Sequence, residues 1–365
     1  MIPATIRRLA LPVSRISGVQ RLFRLRSRGP TVLFYHGVEE KIVDPESQWV
    51  HTLLGVFERQ IAFLRRQREV ISLDDLYECL VSGKRLEPRH IVLTFDDGYK
   101  NNLGIVAPLL QSWNLPFTIF VSTRHISERR RFPWYFIRVA MLYAEKRQIH
   151  FESIQKSFDL STHEKRVTAA RSIIATAKKA PLNLTENLAK ECMDQLAPER
   201  WAELNARFMS EEPMDWDDVR RTQSMGATIA SHCHDHCILH SKQSEQEVYR
   251  QLNESKAAIE KKAADCKYFA YPNGTADDIS GVAYAAVKSA QFRMAFTTVR
   301  GEITPDCDCL VAPRIFALPD YEEFCYLVNR SSRQNEIYRT TRWQWQSKVS
   351  ADQPMVLANS EGETS

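Results

Sequence analysis

Apolar residues along this chain come in short, dense runs that alternate with segments of helical spacing. Thr31-Val32-Leu33-Phe34-Tyr35-His36 reads as a buried strand ended by Gly37, and Val56 to Leu64 has helix spacing with Phe57, Ile61 and Leu64 on one face. Val70-Ile71-Ser72-Leu73 is a short strand, Ser72 or Asp74 caps a helix to about Leu80, and Ile91 to Phe95 is the next strand. A helix to about Trp113 and the run Pro116 to Val121 complete this part. After a long interruption the rhythm resumes: Trp216 to Met225 helical, Ala227 to Ala230 a strand, Glu245 to Ala264 helical, Tyr268 to Tyr271 a strand. Ala283 to Ser289 is then helical and Met294 to Thr298 extended. This alternation predicts an α/β fold, a parallel sheet covered by helices.

The interruption, from about His125 to Pro213, is charged, helix-favouring and poor in strand signals, and it reads as an inserted helical subdomain. Trp134, Tyr135, Phe136, Val139, Leu142 and Tyr143 form an aromatic-rich patch near its start. Apolar positions at helical spacing usually face a core, so core packing is favoured over lining a substrate groove. The stretch 330–365 loses periodicity and reads as a polar, mobile tail.

Composition changes the picture only at the N-terminus. The chain of 365 residues is 44% hydrophobic and 26% charged, ordinary for a soluble globular protein, with a formal net charge of +4. That charge is unevenly spread: the first 38 residues carry Arg7, Arg8, Arg15, Arg21, Arg24, Arg26 and Arg28 and no acidic residue. Interleaved with Ile6, Leu9, Leu22 and Phe23, these arginines make residues 1–30 a basic arm suited to peripheral contact with an anionic membrane, although Pro12 and Gly18 break any single long helix. Aliphatic rather than aromatic partners argue against nucleic acid. The arm does not read as a secretory signal, and no segment has the ~18 uninterrupted apolar residues that span a bilayer. A cytoplasmic location is the expectation. The eight cysteines lack the spacing of a secreted scaffold and are expected to be reduced.

Candidate chemistry sits where strands end. Thr94-Phe95-Asp96-Asp97-Gly98-Tyr99 places two carboxylates after a buried run, and carboxylates are rarely buried without a partner. Ser231-His232-Cys233-His234-Asp235-His236-Cys237 supplies imidazoles; on a helical turn His232 and His236 would share one face within reach of one ion. A carboxylate would complete three ligands, leaving the second aspartate to handle protons. Each motif alone has a plainer reading: the aspartates as a helix start, the histidines as a solvated turn, the cysteines as thiolates of a structural zinc. Strand order puts His36, Asp96, Asp97, His232 and the Pro272-Asn273-Gly274 turn on the carboxyl rim, where parallel sheets and barrels build sites.

Thr94 to Tyr99 resembles the first motif of the polysaccharide deacetylases (carbohydrate esterase family four, the NodB-homology domain), and Ser231-His232 through His236 with Ile238-Leu239 resembles the second. Leu33 to Val38 looks like the opening strand of that family, Phe269 to Gly274 like its third motif, and Ala295 to Thr298 with Pro313-Arg314-Ile315 like its late segment. The resemblance implies a deformed (β/α)7 barrel over 31–329 with a helical insertion at about 126–213. It also implies hydrolysis of the acyl group from an N-acylated sugar. Carried over by motif, Asp96 is the general base, and Asp97, His232 and His236 hold one divalent ion, zinc being the usual metal. Tyr271, Pro272, Asn273 and Gly274 would form one wall of the acyl pocket.

Two departures stand out. The arginine that many members carry in the third motif is replaced by Phe269-Ala270, and Arg314 is the candidate to supply its charge and keep Asp96 ionised. The late histidine that serves many members as general acid is absent, since no histidine follows His240; His36 is the candidate replacement. The expected function is a metal-dependent sugar N-deacetylase acting on an N-acylated sugar, an oligosaccharide or a lipid-linked glycan, a lipid-linked sugar deformylase being chemically equivalent. The rival reading is a catalytically inactive glycan-binding or membrane-associated protein on the same barrel. Against it stands the complete set of Asp96, Asp97, His232 and His236, which a protein without chemistry has no physical need to keep together.

Overall fold

Why five consecutive apolar or hydroxyl residues such as Thr31 to Tyr35 are all buried is answered by their place in a parallel sheet that is covered on both faces. A computed structural model describes residues 29–263 and 265–329. Its strands in chain order are β1 (Thr31–Tyr35), β2 (Val38–Glu39), β3 (Thr52–Leu53), β4 (Glu69–Val70), β5 (His90–Phe95), β6 (Phe117–Val121), β7 (Gln148–Phe151), β8 (Lys156–Asp159), β9 (Ala227–Ser231), β10 (Tyr268–Ala270), β11 (Met294–Phe296) and β12 (Ile315–Phe316). The main sheet runs β11-β10-β9-β6-β5-β1-β12, with the stub β4 beside β5, and its pairings are parallel. A parallel bridge from Phe296 to Ala312 leads from β11 toward β12, which pairs with β1, so the sheet curls into a deformed (β/α)7 barrel.

Strand alternation sorts the core into two sets. Leu33, Tyr35, Leu93, Phe95, Ile119, Ile229 and Phe269 pack under the surrounding helices, whereas Val32, Val92, Phe120, Ala230, Tyr268, Ala270 and Phe296 pack against one another within the curl. Because side chains alternate, Thr94 and Asp96 share the inner face with Val92. This register decides where the chemistry points.

The elements expected from the sequence appear with shifted ends. The strand expected at Val70–Leu73 stops at Val70, because Ser72 leaves the sheet to become the N-cap of the helix Leu73–Val81, its Oγ accepting from Asp75 N at 3.0 Å. The helix after the acid motif opens with a π-helical turn, Asn102–Val106, before Ala107–Ser112.

Between β6 and β9 lie helices Pro133–Tyr143, His163–Ala177, Leu182–Met193 and Pro198–Arg207, together with the antiparallel hairpin β7–β8 that the sequence did not signal. They bury their own core, in which Phe136, Val139, Ile173, Leu188, Leu204 and Phe208 meet. All but the last two residues of the expected basic arm at 1–30, and the expected tail at 330–365, lie outside the described residues.

Candidate active site

At the C-terminal ends of the strands the backbone takes an unusual course. Asp97, two residues after the end of β5, has φ of 76°, and His236 and Cys233, in the loop after β9, have φ of 53° and 64°. L-residues avoid this left-handed region at a cost of roughly 1–3 kcal/mol each, and such strain persists where surrounding structure holds it in place. The segment after Ser231 is a loop and not the helical turn that the four-residue spacing suggested. The two imidazoles meet because the loop reverses through left-handed residues.

The loop is held from behind. Asp235 lies between His234 and His236 and turns away from them, pairing with Arg124 at 3.0 Å and with Arg250, while Gln251 Nε2 donates to its Oδ2 at 2.7 Å. Asp235 N donates to Gln251 Oε1 at 2.8 Å. Burial raises the Asp235 carboxyl, and Arg250 and Arg124 more than offset this, bringing it down to about 2. The sequence reading missed this brace; the only signal was an acid flanked by two histidines, with no sign of which way it pointed. Cys233 and Cys237 are fully buried, and burial pushes both thiols up, so they pack in the core and do not act as thiolate ligands.

Asp97, His232 and His236 form the one cluster with metal-ligand geometry among the described residues, their donor atoms all within 4.8 Å of one another. His232 Nε2 and His236 Nε2 stand 3.5 Å and 3.2 Å from Asp97 Oδ1. The Nδ1 of His232 lies 2.7 Å from the Ala270 carbonyl, which fixes the proton there and leaves the Nε2 lone pair facing the carboxylate. Burial pushes His232 down to about 4, so the ring is neutral near pH 7. Asp97 Oδ1 is buried without a hydrogen-bond partner. An orphaned carboxylate oxygen facing two imidazole nitrogens, with the His232 Nε2 lone pair free, is the arrangement a divalent cation satisfies, and the donor set fits one.

Asp96 lies beside this cluster on the inner face. The fully buried Arg314 grips it with both ends of its fork, Nη1 to Oδ1 at 2.7 Å and Nη2 to Oδ2 at 2.8 Å. Arg314 Nε donates to the Thr297 carbonyl at 3.1 Å, and the guanidinium lies between the rings of Phe34 and Phe120, 4.5 Å and 5.4 Å from their centroids. Burial alone raises the Asp96 carboxyl; Arg314 outweighs it and holds the group below its ordinary 3.8.

His36 follows β1 and also lines the cavity, its ring 6.0 Å from those of Phe34 and Phe316. Its buried Nδ1 has no partner. Burial lowers its pKa against the opposing pull of Asp97 and Asp96, so its resting state is neutral.

The turn after β10 departs from its expected role. Of Tyr271, Pro272, Asn273 and Gly274, only Asn273 lines the cavity, joined there by Thr275 and Thr298. Tyr271 is 1% exposed, packs in the outer core and donates its hydroxyl to the Leu310 carbonyl at 3.0 Å. The reason is strand alternation: Tyr268 and Ala270 point inward, so Phe269 and Tyr271 point outward. Gly274 has φ of 61°, and a Cβ there would come 2.8 Å from the Tyr271 carbonyl oxygen.

Above the acids and imidazoles opens a cavity of about 290 Å³. Its floor is the barrel rim, and its wall comes in part from the insertion through Trp134, Tyr135, Arg138, Ile174 and Lys178. The aromatic patch near the start of the insertion is therefore divided: Trp134 lines the cavity, Tyr135 both lines it and packs in the insertion core, and Phe136 and Val139 pack in that core alone.

A family model described as polysaccharide deacetylase matches residues 83–295. The chain belongs to the polysaccharide deacetylase family. Asp96, Asp97, His232 and His236 lie inside the segment matched to the family, and His36 and Arg314 lie outside it. Over 89 residues the chain is 33% identical to the poly-beta-1,6-N-acetyl-D-glucosamine N-deacetylase of Escherichia coli (strain K12), a match over 24% of this chain and only 13% of that protein. The fold matches that of the deacetylase PplD of Streptococcus pyogenes (TM-score 0.53, 14% identity, 82% of this chain and 96% of that one). IcaB of Ammonifex degensii is similar to the same degree (TM-score 0.53, 14% identity, 83% and 97%).

Proposed function

We propose that the chain is a metal-dependent hydrolase that removes an N-acyl group, first of all acetyl, from an amino sugar in a glycan or glycan precursor. The observation that carries this reading is the Asp97, His232 and His236 cluster beside an Arg314-clamped Asp96 at the floor of one cavity. Zinc is the ion we assign, because two imidazoles and one carboxylate with open positions suit it. When bound, a divalent ion supplies a Lewis acid for the acyl oxygen and for the attacking water.

The protein's own groups handle protons. Asp96 is ionised at neutral pH, and each of its oxygens keeps a lone pair that Arg314 does not use, so it accepts the proton as water adds to the amide carbon. The amine leaves only when its nitrogen is protonated. His36 is our candidate donor: its Nδ1 is unpartnered, but as a neutral ring it must first receive a proton, and the nearby Asp96 is the source. Cleavage yields a free amine and a carboxylic acid.

A formyl group asks for the same chemistry, and lipid-linked as well as polymeric sugars belong to the proposal. So does a cytoplasmic site of action with peripheral membrane contact, supported by the arginines of the N-terminal arm and their lack of acidic neighbours. Among the described residues no helix is long and apolar enough to cross a membrane.

The test is metal content together with release of acetate or formate from a panel of N-acylated sugar oligomers and lipid-linked sugars, for wild type and Asp96→Asn side by side. Metal in both proteins with acid released by wild type, and a loss of about 10²–10⁴-fold in the variant, is the expected result. Metal-free protein with no turnover on any substrate would return the chain to the binding-protein reading.

A further inference from the structure

The cavity contains two cations that the proposed deacylation does not use. Arg138, from helix Pro133–Tyr143, and Lys178, the C-cap of helix His163–Ala177, both reach it from the insertion. Arg138 lays its guanidinium over the Trp49 ring at 4.8 Å and donates through Nη1 to the Glu46 carbonyl at 3.2 Å. Its Nε is buried with no partner. Lys178 Nζ donates to Asn273 Oδ1 at 2.6 Å and stands 5.8 Å from the centroid of Trp134.

Neither cation has a carboxylate within ion-pair distance among the described residues. Glu211 and Glu46 act on Arg138, and Asp278 and Asp97 on Lys178, only from farther away. Of the other cavity acids, Asp96 is held by Arg314 and Glu211 by His51 at 2.7 Å, while Asp97 faces the His232 and His236 imidazoles in the candidate metal cluster. Burial lowers Lys178 and brings Arg138 down to about 10, the direction expected of cations withdrawn from water without a counter-charge. Unpaired, partly desolvated charge is costly, and an arriving anion relieves it through charge-assisted hydrogen bonds.

We propose that Arg138 and Lys178 form an anion subsite in the cavity, which takes a phosphate or carboxylate group carried by the N-acylated sugar. This deepens, and rests on, the sugar deacylase reading of the same cavity. The insertion would then select charged glycan precursors, while the barrel floor performs the cleavage. The guanidinium over Trp49 presents its remaining N–H groups as a fork, and the ammonium adds a compact second charge.

The test measures binding to chelator-treated protein, so that an anion cannot ligate the metal site. Calorimetry compares N-acetylglucosamine 1-phosphate, the uronate of N-acetylglucosamine, neutral N-acetylglucosamine and inorganic phosphate. Wild type is expected to bind at least one of the charged sugars about tenfold or more tightly than the neutral one. Whichever charged sugar is preferred identifies the source of the anion. In the Arg138→Gln/Lys178→Gln double variant that ratio falls toward one, and Arg138→Lys with Lys178→Arg recovers part of it, which distinguishes lost charge from lost fold. A wild-type ratio near one, a ratio that survives in the double variant, or inorganic phosphate binding as tightly as the sugar phosphate would each overturn the subsite. Because nothing here depends on turnover, failure of the subsite leaves acyl release untouched, and failure of acyl release leaves this result standing.

Discussion

The cavity has two sides built on different principles. Its floor is the barrel rim, where Asp96, Asp97, His232 and His236 leave the ends of β5 and β9, fixed by strand register, left-handed backbone and ion pairs that are nearly all buried. Its insertion wall comes from helices that bury a core of their own and offer Trp134, Arg138, Ile174 and Lys178. The floor is chemically specified: Arg314 grips both oxygens of Asp96, the Ala270 carbonyl orients His232, and Asp97 Oδ1 faces the two imidazoles. The wall is apolar, aromatic and cationic, and its helices can change side chains without disturbing a strand. Reaction chemistry thus lies with the element that tolerates least change, and substrate choice with the one that tolerates most.

Removing the ion is the most severe way to test the floor. His232→Ala, or dialysis against a chelator, is expected to reduce bound metal from about one ion per chain to near none, as seen by atomic emission, with turnover lost in parallel. Added zinc should restore the dialysed wild type and leave the variant inactive. Turnover that survives without metal would separate the cluster from the chemistry.

Arg314→Met is the next largest expected effect. It leaves Asp96 buried without its partner, a change that costs about 3–5 kcal/mol of stability and lowers kcat about 10²-fold. The direction with pH follows from the causes: with the guanidinium gone, its downward pull is lost and burial, the largest influence, raises the carboxyl against the smaller pulls of His232 and His36, so the acid limb of the rate profile moves to higher pH. For wild type the carboxyl lies below its ordinary 3.8, so the pair's contribution to stability is present above that value and is lost as pH falls through the folded value. An acid limb at the same pH in both proteins would show that Arg314 does not set the ionisation of Asp96.

The same contrast governs what could be read in the sequence. The floor was legible because its residues are chemically unusual and follow apolar runs: Asp96-Asp97-Gly98 after Ile91 to Phe95, His232 after Ala227 to Ser231. Arg314, 218 positions from Asp96, was within reach because a buried carboxylate needs a partner and the usual third-motif arginine was missing. Geometry that depends on backbone course was not legible. The spacing of His232 and His236 suggested a helical turn, whereas left-handed residues at Cys233 and His236 close a loop. The third motif by itself points Tyr271 at the cavity, but strand alternation turns that side chain into the outer core. The hairpin of β7 and β8 gave too little signal, four residues to a strand with half of β7 and most of β8 exposed. Arg138 and Lys178 were ordinary basic residues of a charged helical stretch until the fold brought them to one cavity.

Independence of the two sides is tested by Phe208→Ala. Phe208 is fully buried in the insertion core, its ring centroid 5.8 Å from that of Tyr143 and 6.4 Å from that of Tyr135. Truncation is expected to cost about 3–5 kcal/mol. If the insertion is an independent unit, limited proteolysis cuts first within 133–207 while bound metal stays near the wild-type level. Parallel loss of metal and protease resistance would show the two cores to be one cooperative unit.

The smallest expected effect is at the mouth of the cavity, where Trp49 is 52% exposed and carries Arg138 over its ring. An exposed indole beside a sugar-sized cavity offers a flat apolar face to a pyranose ring, a contact of roughly 0.5–1.5 kcal/mol. Trp49→Ala is therefore expected to raise KM on an oligosaccharide by about two- to tenfold, with the larger share of the change in KM rather than kcat. A drop confined to kcat would place Trp49 with the reacting atoms of the floor and erase the distinction at that position. A KM increase on charged sugars alone would instead mean that the indole acts mainly as the support that keeps the Arg138 guanidinium in place, so that Trp49 and Arg138 act as one recognition element.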